Sequence, residues 1–515
     1  MNSDKEIMSS SAKTEYKWDE INWRKLERSV FKLQKRIYRA SKSGDLKGVK
    51  RLQKLLLKSK SAKLLAVRRV TQVNKGKKTA GIDGVKSLSP TQRLKLAKEL
   101  RLNEKSKPVR RIWIPKPGKT EKRPLGIPTM TDRAKQALVK LVLEPEWEAK
   151  FAPNSYGFRP ARSCQDAIQA IFNAICLKNA YVLDADIKGC FDNIGHIALL
   201  NKLNTFPKLR RVIKRWLRDG VMEGDVFYKT VAGTPQGGVI SPLLANIALH
   251  GVEYETKKTL QEDLFQCAKK KTPTISRKKA TDTMSIVFYA DDFVVIHESE
   301  EIILKAKQFI EEWLHKTGLT LSQTKTRITH TLKSKDGNKA GFDFLGFSIR
   351  QYSTKTRVKV YKTLMKPSLQ SQKRHRKAIS ERLKHLTAAT QEEVIEALNP
   401  LIKGWSNYFK SGVSSKVFGN MKSYVFQKLW KWARWRHPHK GLRWIKNKYF
   451  RRYKGNNCRF ATSDKCRLAL HSETHIKRHV KIKDTRTPYD GDLQYWSKRS
   501  SKKNYSIHDL AKRCI

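Results

Sequence analysis

The chain has 515 residues, of which 39% are hydrophobic, enough to build apolar cores and to exclude a disordered polymer. Its 109 Lys and Arg stand against 46 Asp and Glu, a net charge of +63 spread along nearly the whole sequence. That excess opposes compaction unless a polyanion neutralises it, and it favours a long nucleic acid over a small anionic substrate.

Seven cysteines without a Cys-x-x-Cys pair fit a reducing compartment. The polar N-terminus has no secretory or transit signature, and no apolar run approaches the ~18 residues of a membrane span. The sequence therefore predicts a soluble intracellular protein, bacterial and cytoplasmic or organellar, with no membrane partner.

Residues 18–75 read as helices, with Trp18, Ile21, Trp23, Leu26, Val30, Phe31, Leu33 and Ile37 at roughly helical spacing. Arg24, Lys25 and Arg28 lie between them and offer an outer face to nucleic acid; packing on the body of the protein is the competing reading, and both can hold. Lys75 to Gly84 is a Gly-rich basic loop in which Lys77 and Lys78 could approach a template backbone. It lacks the spacing of a phosphate-binding P-loop, and an ordinary surface loop is the alternative. Val109 to Lys119 and Lys122 to Pro128 form a hairpin, with Lys116 near one strand end and Arg123 near the next. Two such cations can clamp a triphosphate; a solvated hairpin is the bland reading.

A helix is expected over 131–150, and a second from Cys164 to Cys176. Tyr181 to Ile187 is a strand bearing Asp184 and Asp186 on one face, and the Gly189 turn swings Phe191 back over Asp186. Ala232 to Pro242 is a Gly/Pro-rich loop containing Gln236 and Gly237, opening an apolar helix from Leu243 to Val252. After a basic insertion over 266–282, two β-branched runs flank Tyr289-Ala290-Asp291-Asp292, an acidic hairpin tip. A helix from Ile302 to Leu314 follows, then the segment Leu319 to Thr326 with Lys325, and a short aromatic strand near Phe344.

Taken together, Arg123-Pro124-Leu125-Gly126-Ile127-Pro128, Ser155-Tyr156-Gly157-Phe158-Arg159, the strand end from Asp186 to Asp192, Gly233 to Gly238, Tyr289 to Asp292 and Phe344-Leu345-Gly346 resemble, in order, the group II intron-encoded reverse transcriptases, also called maturases. Gly404-Trp405-Ser406-Asn407-Tyr408-Phe409 resembles a block of that family's thumb, or X, domain. The resemblance implies an α+β right-hand polymerase. Its fingers and palm would be built on an antiparallel palm sheet, with a helical thumb and a small basic DNA-binding region. The expected divisions are 1–75, 76–365, 366–455 and 456–515.

The chemistry is phosphoryl transfer to a 3′ oxygen, for which two Mg²⁺ ions and a deoxynucleoside triphosphate are expected. Asp186, Asp291 and Asp292 are the expected catalytic carboxylates and metal ligands, with the Ile187 carbonyl as a further donor. By resemblance, Lys116 and Arg123 neutralise the triphosphate, and Phe191 excludes a 2′-hydroxyl. Gln236 and Gly237 line the nucleotide pocket, and Lys325 assists the leaving pyrophosphate. The expected partners are the intron RNA, bound as a ribonucleoprotein, and target DNA.

Beyond residue 366 the sequence turns to basic helices. Lys431, Arg434 and Arg436, interleaved with tryptophans, are expected to hold duplex and structured RNA. In the last region Arg478, Lys481 and Lys483 are expected to contact DNA. His471, His475 and His479 would share one face if helical, which makes a zinc site conceivable. The sequence ends at Ile515 without the paired cysteines of the His-Asn-His endonuclease carried by many relatives, so second-strand cleavage is not expected. A splicing factor with a vestigial polymerase, and a domesticated or defence reverse transcriptase, are the alternatives.

Overall fold

The computed structural model describes residues 17–102, 106–115, 121–234, 236–356, 359–453, 456–463 and 465–501. Three amphipathic helices begin it: α1 (Trp23–Lys42), α2 (Leu46–Lys58) and α3 (Lys60–Arg68). Asn22, Asp45 and Ser59 cap them, each accepting a backbone N–H of the first turn. Helix α4 (Pro90–Glu99) follows, and then α5 (Met130–Glu148), which is buried nearly all round. A helix hidden on every face is a central strut, and its polar side chains are accordingly paired. Gln53 donates to Glu146 at 2.7 Å, and Arg133 donates to the carbonyls of Pro128, Gly76 and Thr79.

Strands β1 (Val109–Pro115) and β2 (Lys122–Ile127) form the expected hairpin, with Ile114 opposite Arg123. Helix α6 (Cys164–Ile175) precedes β3 (Tyr181–Asp186). A short ribbon, β4 (Val221–Glu223) and β5 (Val226–Tyr228), joins the β1–β2 hairpin by a parallel β1–β4 pairing. The acidic hairpin is β6 (Ser285–Tyr289) and β7 (Asp292–His297), and β8 (Arg327–His330) follows. These assemble a second sheet in the order β6-β7-β3-β8, with every pairing antiparallel.

Strands β9 (Phe342–Phe344), β10 (Phe347–Thr356) and β11 (Lys359–Pro367) make a third sheet, which leads into the last helices. The helices Leu369–Lys384, Gln391–Phe409 and Ser415–Arg436 pack around Ile379, Val394, Leu398, Ile402, Val425 and Leu429. A final hairpin, β12 (Phe450–Tyr453) and β13 (Asn456–Phe460), shares that core through Phe450 and Phe460.

Residues 471–499 then leave the bundle as a strap that crosses α6, α5 and α1. Lys477 N donates to Lys410 O, and Ile482, Tyr489 and Trp496 are buried. Asp166 on α6 accepts from His479, the Ile482 N–H and Arg499, at 2.9, 2.8 and 2.9 Å. Tyr489 reaches Glu144 on α5 at 3.1 Å and lies against Phe31 and Tyr38 of α1. The helix on which a zinc face was conceivable does not form: within residues 471–479 only one turn, His471–Glu473, is helical. His471 turns to His375 and His479 to Asp166, so the three rings diverge and no zinc face forms. Between His471 and His479 nearly every side chain is exposed, so there is no apolar face on which a helix could pack. Among the described residues no helix is long and apolar enough to cross a membrane.

Candidate active site

The acidic tip is held from beneath. Asp186, the last residue of β3, lies opposite Asp292, the first of β7. Ile187 N donates to Asp291 O at 3.3 Å, and Ser322 N donates to Asp186 O at 2.8 Å. Ala290 adopts a φ of +60°, the left-handed conformation that lets two residues close the hairpin. The loop Ser155 to Phe158 braces this turn: Tyr156 N donates to Phe288 O, Phe288 N to Asn154 O, and Asn246 to Gly157 O. A Cβ on Gly157 would overlap Ala290 N and sit 2.9 Å from Tyr289 C, so only glycine admits the close approach.

Three carboxylates crowd this point. Burial raises Asp291, and the Asp186 charge raises it further, while Lys325 and Arg123 oppose. Asp292 is pushed up to about 7 by burial, then by Asp291 and Asp186. Asp186 is ion-paired to Lys325, whose ammonium that contact holds in its charged form. Asp184, one step along the same face, pairs with Arg327 at 3.1 Å and is pushed up to about 6, chiefly by burial. Like charges gathered in a low-dielectric corner resist ionisation together, and a divalent cation is the natural relief. The donors are carboxylate oxygens of the kind hard divalent cations take. They do not converge on a single point: among the described residues no three acidic, histidine or cysteine side chains stand as a formed metal cage. Seating an ion requires the Lys325 ammonium to leave Asp186.

The cleft around the tip carries the other expected residues. Phe191 is half-buried and meets the exposed Phe158 edge-on, with ring centroids 6.2 Å apart. Gln236 donates to Asp192 at 2.7 Å, and Gly126 N of β2 donates to Gln236 O at 2.6 Å. Gly237 has a φ of +116°, and a Cβ there would lie 2.7 Å from Gly126 O. The Gly-rich loop thus joins β2, which bears the exposed Arg123, to the turn bearing Phe191. Lys116 lies outside the described residues.

The expected nucleic-acid contacts divide. Arg24, Lys25, Arg28, Lys78, Lys431, Arg434, Arg478 and Lys483 are exposed. Lys77 donates to Gln72 O at 3.1 Å, and Lys481 is half-buried. Arg436 donates to the carbonyls of Thr387 and Ala389 and lies over the Trp432 ring, which gives it a structural task. Sequence reasoning missed Asp192 as the partner of Gln236, Gly157 as the brace of the tip, and Asp166 as the anchor of the strap. The acidic residue one place after Phe191 is visible in the sequence, but its partner is set by the loop's path. Asp166 and His479 are 313 residues apart, and no local pattern links them.

Comparison with known proteins places the chain in a family. Residues 114–349 match the family model described as reverse transcriptase (RNA-dependent DNA polymerase). Residues 18–100 match the N-terminal domain of reverse transcriptase, and residues 372–450 match the group II intron maturase-specific domain. The group II intron-encoded protein LtrA of Lactococcus lactis subsp. cremoris is 31% identical over 403 residues, covering 65% of this chain and 66% of that protein. Protein YkfC of Escherichia coli K12 is 30% identical over 348 residues, covering 61% of this chain and 87% of that one. Maturase-like protein 1 of Euglena gracilis is 31% identical over 245 residues, covering 45% and 51%. The chain thus spans just under two thirds of LtrA's length. With the N-terminal, reverse transcriptase and maturase-specific segments matched in order, the chain belongs to the family of group II intron-encoded reverse transcriptases and maturases.

Proposed function

We propose that this protein is an RNA-directed DNA polymerase that binds its group II intron RNA, assists its splicing and copies it into DNA from a target-site primer. The observation that carries the polymerase reading is the register of Asp186 against Asp292, with the Asp291 carbonyl accepting from Ile187 N, the residue after β3. Those three carboxylates would hold two Mg²⁺ ions, with the Ile187 carbonyl as a further donor. When bound, the ions favour ionisation of the attacking 3′-hydroxyl and neutralise charge on the departing pyrophosphate.

The chain's own residues do the rest. Arg123 stands at the start of β2, with its field reaching Asp291, and is placed to neutralise the triphosphate; Lys116 would complete that clamp. Phe191 and Phe158 wall the sugar side, where a 2′-hydroxyl would meet a ring. Gln236 and Gly237 line the base side. Lys325, released from Asp186, would carry its charge and proton toward the leaving group. The maturase role rests on the matched helical domain and the exposed cations, which suit shape and phosphate contacts to folded RNA.

Primer extension on an RNA template with Mg²⁺, run beside splicing of the intron, tests both roles. The Asp291→Ala/Asp292→Ala protein is expected to lose extension by at least about 10³-fold while splicing assistance remains. Extension by the double variant would reject the carboxylate assignment. Splicing without extension by the wild type would favour the splicing-factor reading.

A further inference from the structure

The Gly-rich loop is fastened on both sides by its own backbone. Thr234 N donates to Phe191 O at 2.5 Å, Gly233 N to Ile194 O at 2.9 Å, and Gly126 N to Gln236 O at 2.6 Å. A Cβ on Gly233 would collide with the carbonyl of Asp192, so the two segments touch without slack. The backbones around Gln236 and Asp192 are therefore set without help from either side chain. What remains free is the rotation of the Gln236 amide, and one contact decides it. Gln236 Nε2 donates to Asp192 Oδ2 at 2.7 Å. An ionised carboxylate only accepts, so this bond fixes which end of the amide is nitrogen. The other end, Oε1, is left as an acceptor.

We propose that Asp192 is a positioning residue of the nucleotide pocket, holding the Gln236 amide so that its oxygen accepts from an N–H or O–H of the incoming deoxynucleoside triphosphate. This rests on the polymerase reading above. Without the carboxylate the amide samples both of its flat orientations, and half of them present a donor to a donor. The defect falls on nucleotide binding and leaves the carboxylates at Asp186, Asp291 and Asp292 in place.

Single-nucleotide addition of dTTP to a DNA primer on an RNA template measures KM and kcat. Half-maximal photo-crosslinking of dTTP to the same complex measures nucleotide affinity independently of turnover. Asp192→Asn keeps the shape but can donate to Gln236 Oε1. It is expected to raise KM and the crosslinking midpoint about tenfold and to change kcat by less than about twofold, with the melting temperature unmoved. Asp192→Glu keeps an acceptor and is expected to recover most of the affinity. In a Gln236→Ala background, Asp192→Asn is expected to add nothing. Unchanged KM and crosslinking overturn the proposal. So do effects that multiply with Gln236→Ala, or a loss confined to kcat. A wild type that crosslinks dTTP but never extends would reject the polymerase reading, while the crosslinking shift would still decide the role of Asp192.

Discussion

Gly157 shows how a residue without chemistry can govern a site. Its backbone lies so close to the Tyr289–Ala290 peptide that a methyl group would displace the hairpin tip. Gly157→Ala is expected to lower kcat for extension by about 10²-fold, the scale of a misplacement near 1 Å, with a smaller effect on RNA binding. Normal kcat in that variant would mean that the tip does not depend on this brace. The strand ends that carry Asp186 and Asp292 were legible from their β-branched runs, and the structure pairs them side by side in the middle of one sheet. The brace was not, because a glycine between Tyr156 and Phe158 looks like any loop glycine until the chain is folded. Phe191→Ala is expected to relax discrimination against ribonucleotides by at least about tenfold, measured as the ratio of kcat/KM for dTTP and UTP.

The strap of residues 471–499 is the element whose sequence said least about its task. Its cations suggested DNA, and Arg478 and Lys483 remain exposed to serve that. Its apolar and hydrogen-bonding residues instead clasp α6, α5 and α1. Asp166 is the buried point on which His479 and Arg499 converge, and hydrogen bonding and charge from these partners hold its carboxyl far below the usual range against the burial that would raise it. Asp166→Asn leaves Arg499 buried beside a neutral group and is expected to cost about 3–5 kcal/mol. Limited proteolysis of the native protein reads it directly: cutting within 471–499 should speed up while the helices over 369–436 stay resistant. An unchanged cleavage rate would make the clasp dispensable. Strands and helices were legible from periodicity, whereas the path of the strap, which becomes helical only over Leu493–Ser501 and two single turns, is set by anchors hundreds of residues away in sequence.

Charge and protonation act on the whole molecule. With +63 to neutralise, RNA affinity should fall at least about 10³-fold between ~50 and ~200 mM salt. Replacing Arg24, Lys25 and Arg28 by alanine should flatten the log–log salt slope by about 2–3, with melting unaffected. An unchanged slope would take the outer face of α1 out of the RNA interface. Stability should also depend on pH. Burial pushes His250, His297 and His375 down to about 4, and His471, with His375 beside it, to about 3. The unfolded rings titrate near the ordinary value, so below it the unfolded chain takes up protons that the folded one refuses. Stability is intact above pH ~6.5 and drains as pH falls toward ~4, by up to about 2 kcal/mol per ring at pH ~5. A melting temperature flat between pH 7 and 5 would contradict this.

The contact of Tyr489 with Phe31 and Tyr38 has a consequence in time. Helix α1 is synthesised more than 400 residues before the segment that covers it. Until synthesis has passed Trp496, Asp166 lacks His479, Arg499 and the Ile482 amide, and Glu144 lacks the Tyr489 hydroxyl. Domains fold as they emerge, so the earlier sheets and helices can form in sequence while this clasp stays open. A message broken before residue 471 therefore yields an unlatched protein, with Asp166 and Glu144 lacking these partners, rather than a slightly shorter one.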